Sequence, residues 1–227
     1  MKLSESTQSI LRNFSDINNS IYIRGGNRIA TMSITKNVYG NAVVQEEFPE
    51  SFAIYDLSQF MNGLDLFENF DLEFGHSSYV TIKSNRTKVR YFYADPDIIE
   101  SPPESEIKFP NPLFSFNLKS DDLKSLIKSS NVFTLPDLCL ESRGGDVCLV
   151  VKDRDNDESN TVSYVVGESE TPFSFNLKME NMKIISGDYQ VEITEKAAKF
   201  CKAISPSDQI KKLEYYIALE PDSVYGQ

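Results

Sequence analysis

Apolar residues recur at helical spacing close to the start of the chain: Ile10, Leu11, Phe14 and Ile17 fall on one stripe. Ser4 precedes the stripe as an N-cap, Arg12 lies roughly opposite it, and Asn18-Asn19 ends the run, so a helix is predicted. The period then shortens to two. Ile21 to Ile23 and Ile29 to Ile34 flank Gly25-Gly26-Asn27, which predicts a hairpin, and Val38 to Val44 reads as a third strand. The pattern restarts with a strand at Phe52 to Tyr55. A short helix carrying Leu57, Phe60, Met61 and Leu64 comes next, and then strands at Leu72 to Phe74, Tyr79 to Lys83 and Lys88 to Tyr93.

Between Asp95 and Pro112 the pattern stops. Five prolines (Pro96, Pro102, Pro103, Pro110, Pro112) and five acids (Asp95, Asp97, Glu100, Glu104, Glu106) fill this stretch. Proline cannot donate to a sheet ladder, so a connector is predicted at about 95–112. It divides the chain into domains at 1–110 and 111–227. Ile98, Ile99, Ile107 and Phe109 suggest that the connector docks onto protein.

Beyond it, Phe114-Ser115-Phe116-Asn117-Leu118-Lys119 returns unchanged as Phe173 to Lys178, 59 residues later (173 − 114). Each copy is followed by a helical stripe, Leu123/Leu126/Ile127 in one and Met179/Met182/Ile185 in the other. Strands follow at Leu138 to Ser142, Val147 to Lys152 and Thr161 to Val166 in the first case. In the second they fall near Tyr189 to Ile193, Ala198 to Ala203 and Tyr215 to Leu219. Self-similarity at a long period is the strongest organising signal in a sequence. The unit is strand, helix, three strands, and it starts near Met1, Ser51, Phe114 and Phe173. The fold class is α+β: two similar domains, each with two β-α-β-β-β units. Each one-sided helix must bury its stripe on a sheet, which places helices on one face and antiparallel sheets outside.

The formal net charge of −11 argues against a surface that binds nucleic acid all over. The basic residues are placed unevenly. Lys124 and Lys128 are i, i+4 neighbours away from the Leu123/Leu126/Ile127 stripe, Arg12 faces away from the first stripe, and Lys178 and Lys183 flank the fourth. The second helix has no basic residue and carries Asp65. For any single lysine a solvated helix face is the plainer reading; the pattern is a basic helical layer within an acidic protein. Cys139, Cys148, Cys201 and the one histidine, His76, lack metal-ligand spacing, so no metal or cofactor is expected. Asp153-Arg154-Asp155-Asn156-Asp157 opens like a calcium loop, but Glu158 and Tyr164 stand where glycine and glutamate are required; a solvated acidic hairpin loop fits better. Phosphate-binding glycine motifs are absent, one histidine leaves little room for a nucleophile triad, and no carboxylate pair stands out, so catalysis is not expected. An N-terminal signal and any membrane-length apolar run are also absent, which predicts a soluble intracellular protein without membrane partners.

Specific stretches add a resemblance. Met1-Lys2-Leu3-Ser4, Arg12-Asn13-Phe14, Ala53-Ile54-Tyr55-Asp56-Leu57, Ala94-Asp95-Pro96, Asn181-Met182-Lys183 and Ala218-Leu219-Glu220 are similar to the DNA sliding clamp family of T-even-type bacteriophages, over the whole chain. Tyr215-Tyr216-Ile217-Ala218 more distantly resembles the last strand of proliferating cell nuclear antigen. The resemblance implies the DNA-clamp fold and a homotrimeric ring encircling duplex DNA, loaded by an ATP-dependent clamp loader. Such a ring tethers the replicative polymerase and also supports phage late transcription, in the cytoplasm of the infected bacterium. It implies that Arg12, Lys124, Lys128, Lys178 and Lys183 face DNA. A polymerase C-terminal peptide would dock at Ile98, Ile99, Phe109, Leu219 and Pro221, and Lys88, Arg90 and Phe92 would meet Val162, Tyr164 and Val166 between subunits. The competing readings are a β-rich phage structural protein, which leaves the basic helices unexplained, and a paired-acid hydrolase, which requires a pocket.

Overall fold

The first strand of each repeat pairs with the second strand of its neighbour, and this exchange organises both halves of the molecule. The computed structural model describes residues 1–105 and 107–226; the connector acid Glu106 lies outside the described residues. Two compact units are present, Met1–Glu106 with Ile204–Glu214, and Ile107–Ala203 with Tyr215–Gln227.

In the first unit, β1 (Ile21–Ile23) pairs antiparallel with β4 (Phe52–Ile54). Reciprocally, the extended start of the chain joins β5 (Asp71–Glu73): the Leu72 amide donates to the Met1 carbonyl at 2.8 Å, and the Met1 ammonium donates to the Leu72 carbonyl at 2.7 Å. β5, β6 (Tyr79–Ser84) and β7 (Thr87–Phe92) form a three-stranded antiparallel sheet, and β2 (Gly26–Met32) pairs with β3 (Val38–Phe48). The predicted β1–β2 hairpin does not form, because β1 pairs with β4 alone in its sheet. Gly26, at φ +101°, is already paired with Phe48, and the ladder bulges before Arg28. The Gly25-Gly26 step is therefore a corner that sends β2 to another partner, a use of left-handed backbone open to glycine.

The second unit repeats the exchange over longer ladders. β8 (Phe114–Leu118) pairs with β13 (Tyr189–Ile193), and β12 (Phe173–Lys178) pairs with β9 (Asp137–Ser142). The two copies of the hexapeptide are thus equivalent strands. The sheet order runs β11 (Val162–Ser169), β10 (Gly145–Lys152), β9, β12, β16 (Val224–Tyr225), while β14 (Ala197–Lys202) lies beside β13. β15 (Ile210–Ala218) contributes its first residues to the first unit and its last to the second.

Helix α1 (Glu5–Ile17) starts where Ser4 caps the Thr7 amide. Glu46 of β3 reinforces this end, accepting from the Ser4 amide and from the Thr7 hydroxyl at 2.7 Å. Burial pushes the Glu46 carboxyl up, but these hydrogen bonds outweigh it and hold the group below its ordinary value. The stripe Ile10, Leu11, Phe14 and Ile17 is buried as expected. Gly40 of β3 admits the Phe14 ring, since a Cβ there would meet Cε1 at 2.8 Å. Helix α2 (Leu57–Leu64), capped by Asp56, buries Leu57, Phe60, Met61 and Leu64.

Helix α3 (Ser120–Phe133) buries Leu123, Leu126 and Ser130, with Ile127 half-covered. The fourth predicted helix is reduced to a single 3-10 turn at Met179–Asn181. Its start has no side-chain cap, and the two isoleucines and Gly187 disfavour continuation, so one turn cannot propagate. The segment is held as a loop instead. Met182 and Ile184 are buried, the Met179 amide donates to Pro136, and the Tyr189 hydroxyl donates to the Ile185 carbonyl. Among the described residues no helix is long and apolar enough to cross a membrane.

Candidate nucleic-acid and partner surfaces

In the second unit the segment that replaces the fourth helix runs antiparallel beside α3. Met179, Glu180 and Met182 share a cleft of about 360 Å³ with Ile127, Ser130 and Asn131 in the later half of α3. At the other end, the Ser120 amide donates to Asp188 at 2.8 Å and Ser120 Oγ lies 3.1 Å from Ser186 Oγ. Lys183 therefore stands on the element next to the helix that bears Lys124 and Lys128, and all three are exposed. Lys124 lies 3.7 Å from Asp121, one turn earlier on its own helix. Lys119 belongs to the same neighbourhood, 3.0 Å from Asp188; sequence reasoning missed it, although it occupies the hexapeptide position equivalent to Lys178.

Lys178 itself is placed differently from the sequence expectation. Its ammonium is 2.6 Å from Asp137, whose side chain is only 1% exposed, and Asp137 also accepts the Arg154 amide at 3.0 Å. The Arg154 guanidinium approaches Asp137 at 3.4 Å and pairs with Asp222. Burial pushes the Asp137 carboxyl up, but the Lys178 hydrogen bond, the Arg154 amide and the two cationic charges together hold it below its usual value. Lys178 is a structural ion-pair partner. The acidic loop after β10 turns Arg154 inward and caps its own amides, Asp155 on Asp153 and Glu158 on Asn156. Burial pushes the Cys139 thiol up to about 12, which keeps it protonated.

In the first unit Arg12 pairs with Asp65 at the end of α2, so its charge is locally balanced. The exposed polar residues of α2 are Gln59 and Asn62, uncharged donors that a search for basic residues passes over.

The connector is tied to the first unit by residues not anticipated from sequence. Arg24 reaches the Pro102 carbonyl and the Glu104 carboxylate, Arg28 donates to the Glu104 carbonyl at 2.6 Å, and Lys36 pairs with Glu100 at 2.9 Å. Basic residues on and flanking β2, opposite in charge to the connector, were the available signal. Of the five apolar candidates, Ile99 is buried and Ile98 is 62% exposed, both in the first unit. Phe109, in the second, packs edge-on to Tyr216 at 5.6 Å under the Lys199 ammonium. In that unit too, the Leu219 amide donates to Lys196 and Pro221 is exposed.

The interface candidates fall on two edge strands. β7 ends one sheet order and presents Lys88, Arg90 and Phe92 outward. β11 ends the other, with Val162, Tyr164 and Val166 half-covered. The most exposed apolar residue of β11 is Val165, one position out of phase with those chosen from sequence.

Comparison with known proteins gives the family and the fold. Residues 3–99 match the family model described as DNA polymerase processivity factor, and residues 115–221 match that described as gp45 sliding clamp, C terminal. The chain is 32% identical to the sliding clamp of Vibrio phage KVP40, covering 97% of this chain and 99% of that one. It is 29% identical to the sliding clamp of Enterobacteria phage T4, over 99% of each. Among solved structures, proliferating cell nuclear antigen from Thermococcus kodakaraensis superposes with a TM-score of 0.69 at 12% identity, over 97% of this chain and 98% of that one. The A. fulgidus protein, solved with the C-terminal region of FEN-1 bound, gives 0.68 at 12% identity over 96% of each chain. At these identities the structures establish the shared clamp fold.

Proposed function

The chain belongs to the sliding clamp family of T4-like bacteriophages, and from that premise we propose that three copies close head to tail into a ring around duplex DNA. The ring acts by topology and carries out no catalysis. A clamp loader opens and closes it, the replicative polymerase holds on to it, and phage late transcription uses it as well, all in the cytoplasm of the infected host. The observation that carries the ring is the pair of edge strands with opposite charge. Lys88 and Arg90 lie on β7, while Glu168 on β11 and Glu170 just beyond it are acidic. Backbone edges of this kind pair readily, and complementary charge fixes which edge meets which.

Lys124, Lys128 and Lys183, with Arg12, face the DNA and hold phosphates without reading sequence. Lys178 is left out, because the aspartate that holds it is buried, whereas the Asp65 beside Arg12 is exposed and can give way to a phosphate. Ile98, Ile99, Phe109, Leu219 and Pro221 take the apolar anchors of a polymerase C-terminal peptide, by analogy with the archaeal relative solved with a partner's C-terminal region. In this reading the connector carries the boundary between two sequence repeats of the clamp, 1–110 and 111–227.

Light scattering during gel filtration tests the ring. The 25.7 kDa chain is expected at about 77 kDa, three copies, with dissociation on dilution. A monomer at every concentration would overturn the mechanism. The lining is tested by combining Lys124→Glu, Lys128→Glu and Lys183→Glu. The trimer should persist, while DNA-dependent polymerase stimulation falls by about tenfold or more at moderate salt and the salt slope shrinks by about one for each lysine. Unchanged stimulation would remove these residues from the lining.

A further inference from the structure

We propose that the segment from Leu219 to Gly226 is a displaceable arm seated on a docking edge, and that the edge accepts an extended partner peptide carrying an acidic residue three positions before an aromatic one. On one side β12 is bound to β9 by a six-residue ladder. Among the described residues its other side pairs only with this arm, through two ladder positions, Phe173↔Tyr225 and Ser174↔Val224. Along the same edge the backbone adds single hydrogen bonds, Glu220 amide to Asn176 carbonyl at 2.8 Å, Asn176 amide to Ser223 Oγ at 3.0 Å and Gly226 amide to Pro172 carbonyl at 2.9 Å, and the Leu219 amide donates to the Lys196 carbonyl where the arm begins. A two-residue ladder contributes little against the entropy of ordering the chain, so the arm depends on its side-chain contacts to stay seated.

Two side chains decide what fits this edge. Tyr225 lies nearly parallel to Phe173 and Phe175, with centroids at 6.1 and 6.0 Å; those two rings are buried whereas Tyr225 is 37% exposed. Asp222 meets the guanidinium of Arg154 and accepts weakly from the Asn176 amide group at 3.4 Å. Arg154 is itself anchored on Asp137, so the cation stays in place when Asp222 leaves. Beside the ladder is a cleft of about 350 Å³, bounded by Glu141, Arg143, Lys152, Phe173, Ser174 and Val224. Lys152 is paired with Glu141 there, while Arg143 is exposed and adds positive charge beside the strand. The arm thus shows the chemistry of its replacement: main-chain pairing along β12, a ring on Phe173 and Phe175, and a carboxylate on Arg154. The inference uses only residues of the second unit and stands whether or not the ring forms.

The test compares the full chain with a variant lacking residues 222–227, which frees Arg154 and most of the β12 edge, using a fluorescently labelled synthetic peptide of residues 219–226. Leu219 and Pro221 remain in the shortened chain, so failure at this edge is separable from failure of the connector-side pocket. The shortened chain is expected to bind the peptide saturably, and the full chain about tenfold more weakly if its own arm covers the edge nine-tenths of the time. Peptides carrying Asp222→Ala or Tyr225→Ala should lose binding, as should the shortened chain with Arg154→Ala. Equal affinity for both chains, or no binding by a shortened chain with an unchanged circular-dichroism melt, overturns the proposal. A mass that doubles with concentration only when the arm is present assigns the edge to a second copy, and overturns it too. Hydrogen exchange on the unaltered chain gives a reading free of folding effects. Amides of 219–226 should exchange well before the β9–β12 ladder, and equally slow exchange would refute displacement.

Discussion

Asp137→Ala is expected to lower the free energy of unfolding by about 3 kcal/mol at neutral pH, because it strands two cations around a buried site. The Asp137 carboxylate is buried and receives Lys178, the Arg154 amide and the Arg154 guanidinium. Removing one partner of such a set costs about 3–5 kcal/mol. Lys178 and Arg154 keep side-chain exposures of 31% and 19%, so water recovers part of the loss and the low end applies. The pH dependence has a definite sign. Asp137 titrates below its ordinary 3.8 in the folded chain, so its contribution is complete above that value and disappears as pH falls through the folded pKa. The hydrogen bond to Asp137 raises Lys178 above 10.5, so its share is complete below that value and is lost as pH rises through the folded pKa. Urea unfolding followed by circular dichroism should therefore show the full wild-type advantage at neutral pH. The gap should close towards both extremes. A gap under about 1 kcal/mol at pH 7 would mean that the cluster is already solvated.

The same cluster shows what a sequence can and cannot yield. α1 and α2 were legible because apolar stripes are local; Ser4 caps α1 as its position suggests, and the cap that Asp56 gives α2 is a further local signal. The identical hexapeptides correctly marked equivalent strands, since backbone pairing follows the alternating pattern. Their lysines did not share a fate. Lys119 pairs with a half-exposed aspartate at 3.0 Å and Lys178 with a buried one at 2.6 Å, a difference set by what packs over each aspartate. Exchange of strands between repeats was likewise invisible, because a hairpin signal such as Gly25-Gly26 specifies a turn and leaves the partner strand open. The fourth helix failed for a local reason that could have been weighed: a stripe barely two turns long, uncapped, running into Gly187. The β16 strand has two residues and no alternation to detect. On β11 the strand was legible from its alternation but its more exposed face was not, since Val162, Tyr164 and Val166 are half-covered and Val165 is exposed.

Val165→Lys is expected to convert the proposed trimer of about 77 kDa into 25.7 kDa monomers while leaving the melting temperature of the isolated chain nearly unchanged. Val165 is 64% exposed at the edge of its sheet, and Phe92 on β7 is 65% exposed at the edge of another. Soluble proteins blunt open edges with charge, above all with lysine. A valine in that position on a strand of eight residues is an edge left fit for pairing. A lysine at an exposed position removes little packing, so the monomer should fold as before; in an assembled ring it would bury an unpaired charge against the facing strand and add to the positive charge of Lys88 and Arg90. The charges give an independent arm. Lys88→Glu with Arg90→Glu should also dissociate the ring, and adding Glu168→Lys should restore part of the association, since the pair of edges would again carry opposite signs. A Val165→Lys chain that still elutes at about 77 kDa would exclude β11 as the contact strand, and a triple charge variant that stays monomeric would exclude the electrostatic match while leaving apolar pairing through Val165 intact.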